Sequence, residues 1–145
     1  MFIERVAEIS DELYEAITRL VPQLGSHKTI PTREELNALL DSAASTLWSA
    51  RYPNENGEIV GILTIAVYRV PTGLRSIVED VVVDQNFRRR GIAEALLHAA
   101  IKFAHEAGAD GVSLTSNPQR EAANKLYQSL GFVRRETNSY YFKIK

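Results

Sequence analysis

Residues 84–100 read DQNFRRRGIAEALLHAA, and how this stretch folds decides the architecture. Just upstream, Arg75–Asp84 (RSIVEDVVVD) has strand character, and Val81, Val82 and Val83 in a row suggest burial on both faces. Downstream, Ile92, Leu96, Ala99, Ala100, Phe103 and Ala107 lie along one helical side. Glu94, His98, Lys102 and Glu106 lie along another, and Gly108 ends the run. A strand therefore feeds a short turn and then an amphipathic helix starting near Gly91. Free N–H groups at a helix start carry partial positive charge and point outward. Gly91 lets a ligand approach the backbone with no Cβ in the way, and the small Ala93 keeps the next turn open. The guanidinium forks of Arg88, Arg89 and Arg90 suit phosphate. From the residues alone, two readings stand side by side. One is a receiver for phosphate or pyrophosphate; the other is a set of arginines that solvates a helix end. Neither G-x-x-x-x-G-K-[ST] nor G-x-G-x-x-G is present.

On the amino-terminal side, Phe2–Val6 alternates as a short edge strand. Ser10 is an N-cap with Asp11 and Glu12 in the first turn, and Leu13, Ile17, Leu20, Val21 and Leu24 recur at helical spacing up to Gly25. Thr32 and Glu35 form a capping-box pattern ahead of Leu36, Leu39 and Leu40. Ser45–Tyr52 and Glu58–Val70 flank the turn PNENG and predict a hairpin. On the carboxyl-terminal side, Gly111–Thr115 reads as a short strand. Asn117–Pro118 has an N-cap and N1 signature, and Ala122, Ala123, Leu126, Tyr127 and Leu130 form an apolar helix side. Gly131–Phe132 reads as a glycine stop with a hydrophobic contact beyond it. Phe132–Thr137 and Ser139–Ile144 are expected as two closing strands. The element order predicts one α/β domain over residues 1–145, with a mixed, mostly antiparallel sheet of about seven strands flanked by four helices.

Composition narrows the function classes. Apolar residues make up 45% and charged residues 24%, ordinary values for a globular domain large enough for a real core. A net charge of −1 gives no global attraction to nucleic acid or to an anionic membrane, so neither is expected as a partner. The absence of cysteine removes disulfides, thiolate metal sites and a cysteine nucleophile. Three scattered histidines make a metal site improbable. No run of about 18 apolar residues suggests a membrane span. The acidic, periodic amino terminus is unlike a signal peptide, and a cytoplasmic location is expected.

Two motifs carry a resemblance. Arg88-x-x-Gly91-x-Ala93, after VEDVVVD, resembles the [QR]-x-x-G-x-[GA] acyl-CoA signature of the GNAT superfamily of acetyl-CoA-dependent N-acetyltransferases. Downstream, NPQREAANKLYQSLGF (Asn117–Phe132) is similar to the family's A-x-x-L-Y-x-x-x-G-F helix and following strand. The two stand in order on suitable elements. The resemblance covers residues 75–145 closely; the first half matches in element order and, in that family, shapes the acceptor side.

The resemblance implies acetyl-CoA as co-substrate and direct attack of a primary amine on the thioester. It implies that Val81, Val82 and Val83 pair with the pantetheine arm as with an added strand. Arg88, Arg89, Arg90, Gly91, Ile92, Ala93 and Glu94 would hold the pyrophosphate, mainly through backbone N–H groups. The Val81 N–H would polarise the thioester carbonyl. An alkylamine, with a pKa near about 10.4, must lose a proton. Glu79 is the first candidate for the base, two residues before Val81 and read as sharing its strand face; a structural or substrate-binding carboxylate is the alternative. Asp80, read on the opposite face, is a weaker candidate. Tyr127 matches the family's general acid for the leaving thiolate, against the plain alternative of a core tyrosine. Asn124 resembles the asparagine that bonds the pantetheine arm. Asn117 serves the cofactor or only caps its helix, and Arg120 reaches the adenosine phosphates or is solvated.

The acceptor, a small-molecule or peptide amine, is not legible. Trp48, Tyr52, Tyr68 and the Tyr140–Tyr141 pair line an aromatic pocket on one reading and pack the sheet on the other. His98 and His105 fall on the polar helix side. A homodimer is compatible with the closing strands. Two further classes stand beside the enzyme: a non-catalytic acyl-CoA-binding sensor, and an interaction domain whose arginines meet an acidic partner.

Overall fold

The computed structural model describes all residues, Met1–Lys145. They divide into two compact units, Met1–Leu114 and Thr115–Lys145. The first unit holds β1 (Phe2–Arg5), α1 (Asp11–Leu20), α2 (Arg33–Asp41), β2 (Ser45–Tyr52), β3 (Glu58–Val70), β4 (Gly73–Val83), α3 (Ile92–Ala107) and β5 (Val112–Ser113). Its sheet runs in the order β1-β2-β3-β4-β5, antiparallel except for the parallel β4–β5 pair. The fold is α/β with four helices and a mixed sheet, as expected, but the sheet has five strands rather than about seven.

Local chemistry sets the helix starts. Ser10 accepts from the Leu13 N–H at 3.1 Å. Thr32 and Glu35 exchange both bonds of a capping box at 3.1 and 2.9 Å. Helix α1 ends at Leu20 and passes into a 3-10 turn, Val21–Gln23, before the expected stop at Gly25.

The sheet is covered on both faces. Leu13, Ala16, Ile17 and Leu20 of α1 and Leu36 of α2 cluster with Leu47, Ile59, Ile62 and Val82 on one face. On the other lies α3, whose Ile92, Leu96, Leu97, Ala100 and Ala104 are buried. Trp48 meets Phe103 of α3 edge-on, with ring centroids 6.0 Å apart, so this aromatic packs the sheet. Gly61 also faces α3: a Cβ there would lie 3.2 Å from Leu96 Cδ1. Burial of each Leu or Ile on these faces contributes about 1.5–3 kcal/mol, which is why the Leu13/Ile17/Leu20 stripe and the α3 stripe decide how the helices dock. No helix is long and apolar enough to cross a membrane.

The second unit contains α4 (Glu121–Ser129). The helix begins later than the Asn117–Pro118 signature suggests. Asn117 Oδ1 accepts from the Gln119 N–H at 2.9 Å and its carbonyl accepts from Arg120 N–H at 3.0 Å, closing a turn ahead of the helix. At the other end, Gly131 has φ 100° and the Phe132 N–H bonds the Tyr127 carbonyl at 3.0 Å, the expected glycine stop. The two closing strands expected at Phe132–Thr137 and Ser139–Ile144 are not formed. Strand propensity measures fit to a paired, half-buried surface. Residues 132–145 have no ladder partner, and Val133, Tyr140, Tyr141, Phe142 and Ile144 are exposed.

Candidate functional site

Strand β4 does not run straight through its carboxyl-terminal half. Thr64 of β3 pairs with Glu79, yet Ile62 pairs with Val82, so β4 carries one extra residue between these pairs. Asp80 absorbs it at φ 52°, a left-handed conformation uncommon for a non-glycine residue. The bulge breaks the alternation on which Glu79 was placed. Leu47, Thr64 and Glu79 form one row across the sheet, on the face that carries α1 and α2. Val82 lies on that same face, whereas Val81 and Val83 are turned toward α3, Val83 being opposite Gly61. Glu79 therefore does not share a face with Val81; it is exposed beside the α1 and α2 layer. Strand β5 pairs with β4 only at Ser76 and Ile77, so from Val78 to Val83 that edge of β4 has no strand beside it.

Past Val83 the chain makes a 3-10 turn, Gln85–Phe87, and enters α3 through Arg88–Gly91. Arg89 (φ 63°) and Gly91 (φ 78°) are both left-handed. Gly91 is the N-cap of α3, and no side chain caps that helix start. The Ala95 N–H already bonds the Gly91 carbonyl, so the N–H groups of Ile92, Ala93 and Glu94 are the ones left for a ligand. A Cβ at Gly91 would find its nearest heavy atom, Met1 Cε, 3.7 Å away, an ordinary contact distance, so this position is not crowded.

The arginine side chains divide. Arg88 Nε folds back to the Val83 carbonyl at 3.4 Å. Arg90 lies over the rings of Tyr52 and Phe87, 5.2 and 5.7 Å from their centroids, and its Nη1 donates to the Tyr52 hydroxyl at 3.4 Å. Arg89 is exposed and engages no partner in the protein. Ile92 is buried in the α3 core, so only its backbone is available, while the Glu94 carboxylate turns along the helix toward His98 Nε2 at 3.5 Å. Only one of the three guanidinium groups is thus free of protein partners, and the backbone is the organised part of the turn.

The turn is also gripped from α1 and the 3-10 turn that follows it, which sequence reasoning missed. Asp84 is buried; its N–H bonds the Val60 carbonyl at 2.8 Å and its Oδ1 accepts from the Asn86 N–H at 3.0 Å. Its Oδ2 lies 3.5 Å from Arg19 Nε, and Arg19 Nη2 donates to the Ile59 carbonyl at 2.8 Å. Gln23 Oε1 accepts from the Gln85 N–H at 2.8 Å. A lone aspartate at a strand end was the only signal in the sequence.

In the second unit, Asn117, Arg120, Asn124 and Tyr127 come together on one turn and helix. The Asn124 side-chain amide donates to the Asn117 and Arg120 carbonyls at 3.0 and 2.9 Å. Its N–H groups are spent on this structure, leaving Oδ1 as its free acceptor. Tyr127 is buried, with Phe132 edge-on at 6.0 Å between centroids. Burial raises its phenol above the ordinary tyrosine value, against a smaller lowering by the Arg120 charge. The hydroxyl therefore holds its proton at neutral pH.

A family model described as Acetyltransferase (GNAT) family matches residues 6–132. N-acetyltransferase family 8 member 3 of Rattus norvegicus is 30% identical over 105 residues, covering 71% of this chain and 44% of that protein. N-alpha-acetyltransferase MAK3 of Arabidopsis thaliana is 31% identical over 86 residues, covering 59% of this chain and 45% of that one. The chain spans less than half the length of these relatives. Among solved structures, an aminoglycoside acetyltransferase from an uncultured soil metagenomic sample, in complex with trehalose, superposes with a TM-score of 0.85 at 26% identity, over 99% of this chain and 96% of that one.

Proposed function

From the premise that this chain belongs to the acetyltransferase (GNAT) family, we propose that it is an N-acetyltransferase that moves an acetyl group from acetyl-CoA to a primary amine. The observation that carries this is the uncapped start of α3, where Gly91 at φ 78° leads into three N–H groups without a partner, behind a bulged strand with a bare edge. Pyrophosphate fits such a cradle by charge and by donor geometry. The bare edge of β4 from Val81 to Val83 suits a ligand that adds itself as a strand, as the pantetheine arm does through its amides. By resemblance to the family, Asn124 is assigned to the pantetheine arm, with Oδ1 as its free acceptor, and Arg120 to the adenosine phosphates.

In the reaction the amine nitrogen attacks the thioester carbonyl, the C–S bond breaks and CoA leaves as the thiolate. Val81 N–H polarises the carbonyl oxygen, a role that depends on the backbone and not on the direction of its side chain. Glu79 takes the proton lost by the amine, directly or through water; its place on the α1 and α2 face supports this, because those helices belong to the half that shapes the acceptor side in the family. Tyr127 returns a proton to the thiolate, and its raised pKa suits an acid that must be loaded at neutral pH. The acceptor is a small-molecule or peptide amine. Release of free thiol from acetyl-CoA across a panel of amines tests the assignment: amine-dependent release supports it. CoA binding with no turnover by any amine replaces it with an acyl-CoA sensor.

A further inference from the structure

We propose that Arg19 of α1 and Gln23 of the 3-10 turn that follows it are positioning residues for the pyrophosphate turn, holding it in shape and cancelling the charge of Asp84. The inference rests on the acetyl-CoA reading above and goes beyond it, since it assigns a cofactor role to the half of the chain that shapes the acceptor side.

The structure gives three reasons. First, Asp84 begins the turn and is buried, with a side chain only 7% exposed. A buried carboxylate there is costly without a cation, and its negative charge opposes an anionic ligand on the same turn. Arg19, at 3.5 Å, is the cation that meets it. Second, Arg19 does not hang free. Its second contact, to the Ile59 carbonyl at 2.8 Å, fixes the guanidinium between β3 and the turn. Third, Gln23 joins the two elements through one amide: its Nε2 donates to the Arg19 carbonyl at 3.2 Å while its Oε1 receives the Gln85 N–H at 2.8 Å. The α1 end is thereby tied to Asp84 and Gln85, at the start of the short turn that leads to Gly91.

The test compares CoA, which carries the pyrophosphate, with pantetheine, which does not. Titrating the wild type, Arg19→Met, Arg19→Lys and Gln23→Ala with both probes separates positioning of the phosphate turn from general loss of structure. Arg19→Met should raise the Kd for CoA by about fivefold and leave the response to pantetheine unchanged, the loss being that of one partly buried charged contact. Arg19→Lys should recover much of it by restoring the charge, and Gln23→Ala should shift CoA binding the same way by a smaller factor. If Arg19→Met misfolds, the Gln23→Ala and Arg19→Lys titrations carry the test. Equal loss for CoA and pantetheine, or wild-type CoA affinity in both Arg19→Met and Gln23→Ala, overturns the positioning role alone. A wild-type protein that binds no CoA overturns the acetyltransferase reading as well.

Discussion

Substitution of Gly91 by alanine probes the backbone cradle directly. Gly91 sits at φ 78°, ψ 12°. An L-residue placed in this left-handed region costs about 1–2 kcal/mol. The added Cβ would lie 3.7 Å from Met1 Cε, an ordinary contact, so backbone strain rather than collision sets the size of the effect. That strain surfaces in one of two places. If the turn keeps its shape, the folded state carries the strain and Tm falls by roughly 3–8 °C. If the turn relaxes, Tm is spared, but CoA must restore the geometry and its Kd rises by about 5–30-fold. Scanning calorimetry of the ligand-free protein and isothermal titration with CoA on the same preparation measure both. Arg89→Ala is the matched control. It removes an exposed, unengaged charge without changing the backbone demand, and it should cost about twofold in Kd, less at high salt. Gly91→Ala with wild-type Tm and wild-type Kd, or an Arg89→Ala loss larger than that of Gly91→Ala, would refute the cradle.

Tyr127→Phe should lower kcat by about 10²–10³-fold with little change in CoA affinity, measured by thiol release and titration. Because burial raises the Tyr127 pKa, wild-type kcat should not lose its acid until pH rises past the ordinary tyrosine range; the same group favours the folded state below that range and ceases to do so as pH climbs through its raised pKa. Glu79→Gln should cut kcat/KM by about 10²-fold while Asp80→Asn leaves it near wild type, which steady-state kinetics with one working amine can read. Glu12 is held below the usual carboxylate range by its paired hydrogen bonds to Arg51 at 2.6 and 2.9 Å. Its contribution is present above that range and lost as pH falls through the lowered pKa. With the carboxylate half exposed it is worth about 0.5 kcal/mol, so Glu12→Gln should lower Tm slightly at pH 7 and have no effect once pH falls below the lowered pKa.

The local rules that shaped this fold were the legible ones. The caps at Ser10 and Thr32 and the β2–β3 hairpin follow from residues within a few positions of one another. The turn at Gly91 was legible for the same reason. What depends on partners far along the chain was not. The bulge at Asp80 arises because β3 and β4 fall out of step between the Thr64–Glu79 and Ile62–Val82 pairs, and no glycine there announces it, since the residue at φ 52° is an aspartate. That single residue moved Glu79 to the other side of the sheet from Val81. The Arg19–Asp84 pair joins positions that look unrelated in sequence. Asn117 could cap a helix or close a turn by the same side-chain bond, and it closes a turn. The apolar alternation of residues 132–145 gave strand character, but alternation supplies no pairing partner.

Purified protein incubated with acetyl-CoA and a panel of primary amines, with free thiol followed over time in wild type and Gly91→Ala, tests the central assignment most directly. Amine-dependent thiol release by the wild type, with a raised KM for acetyl-CoA or a lowered Tm in the variant, is the expected result. No CoA binding and no thiol release with any amine would contradict it.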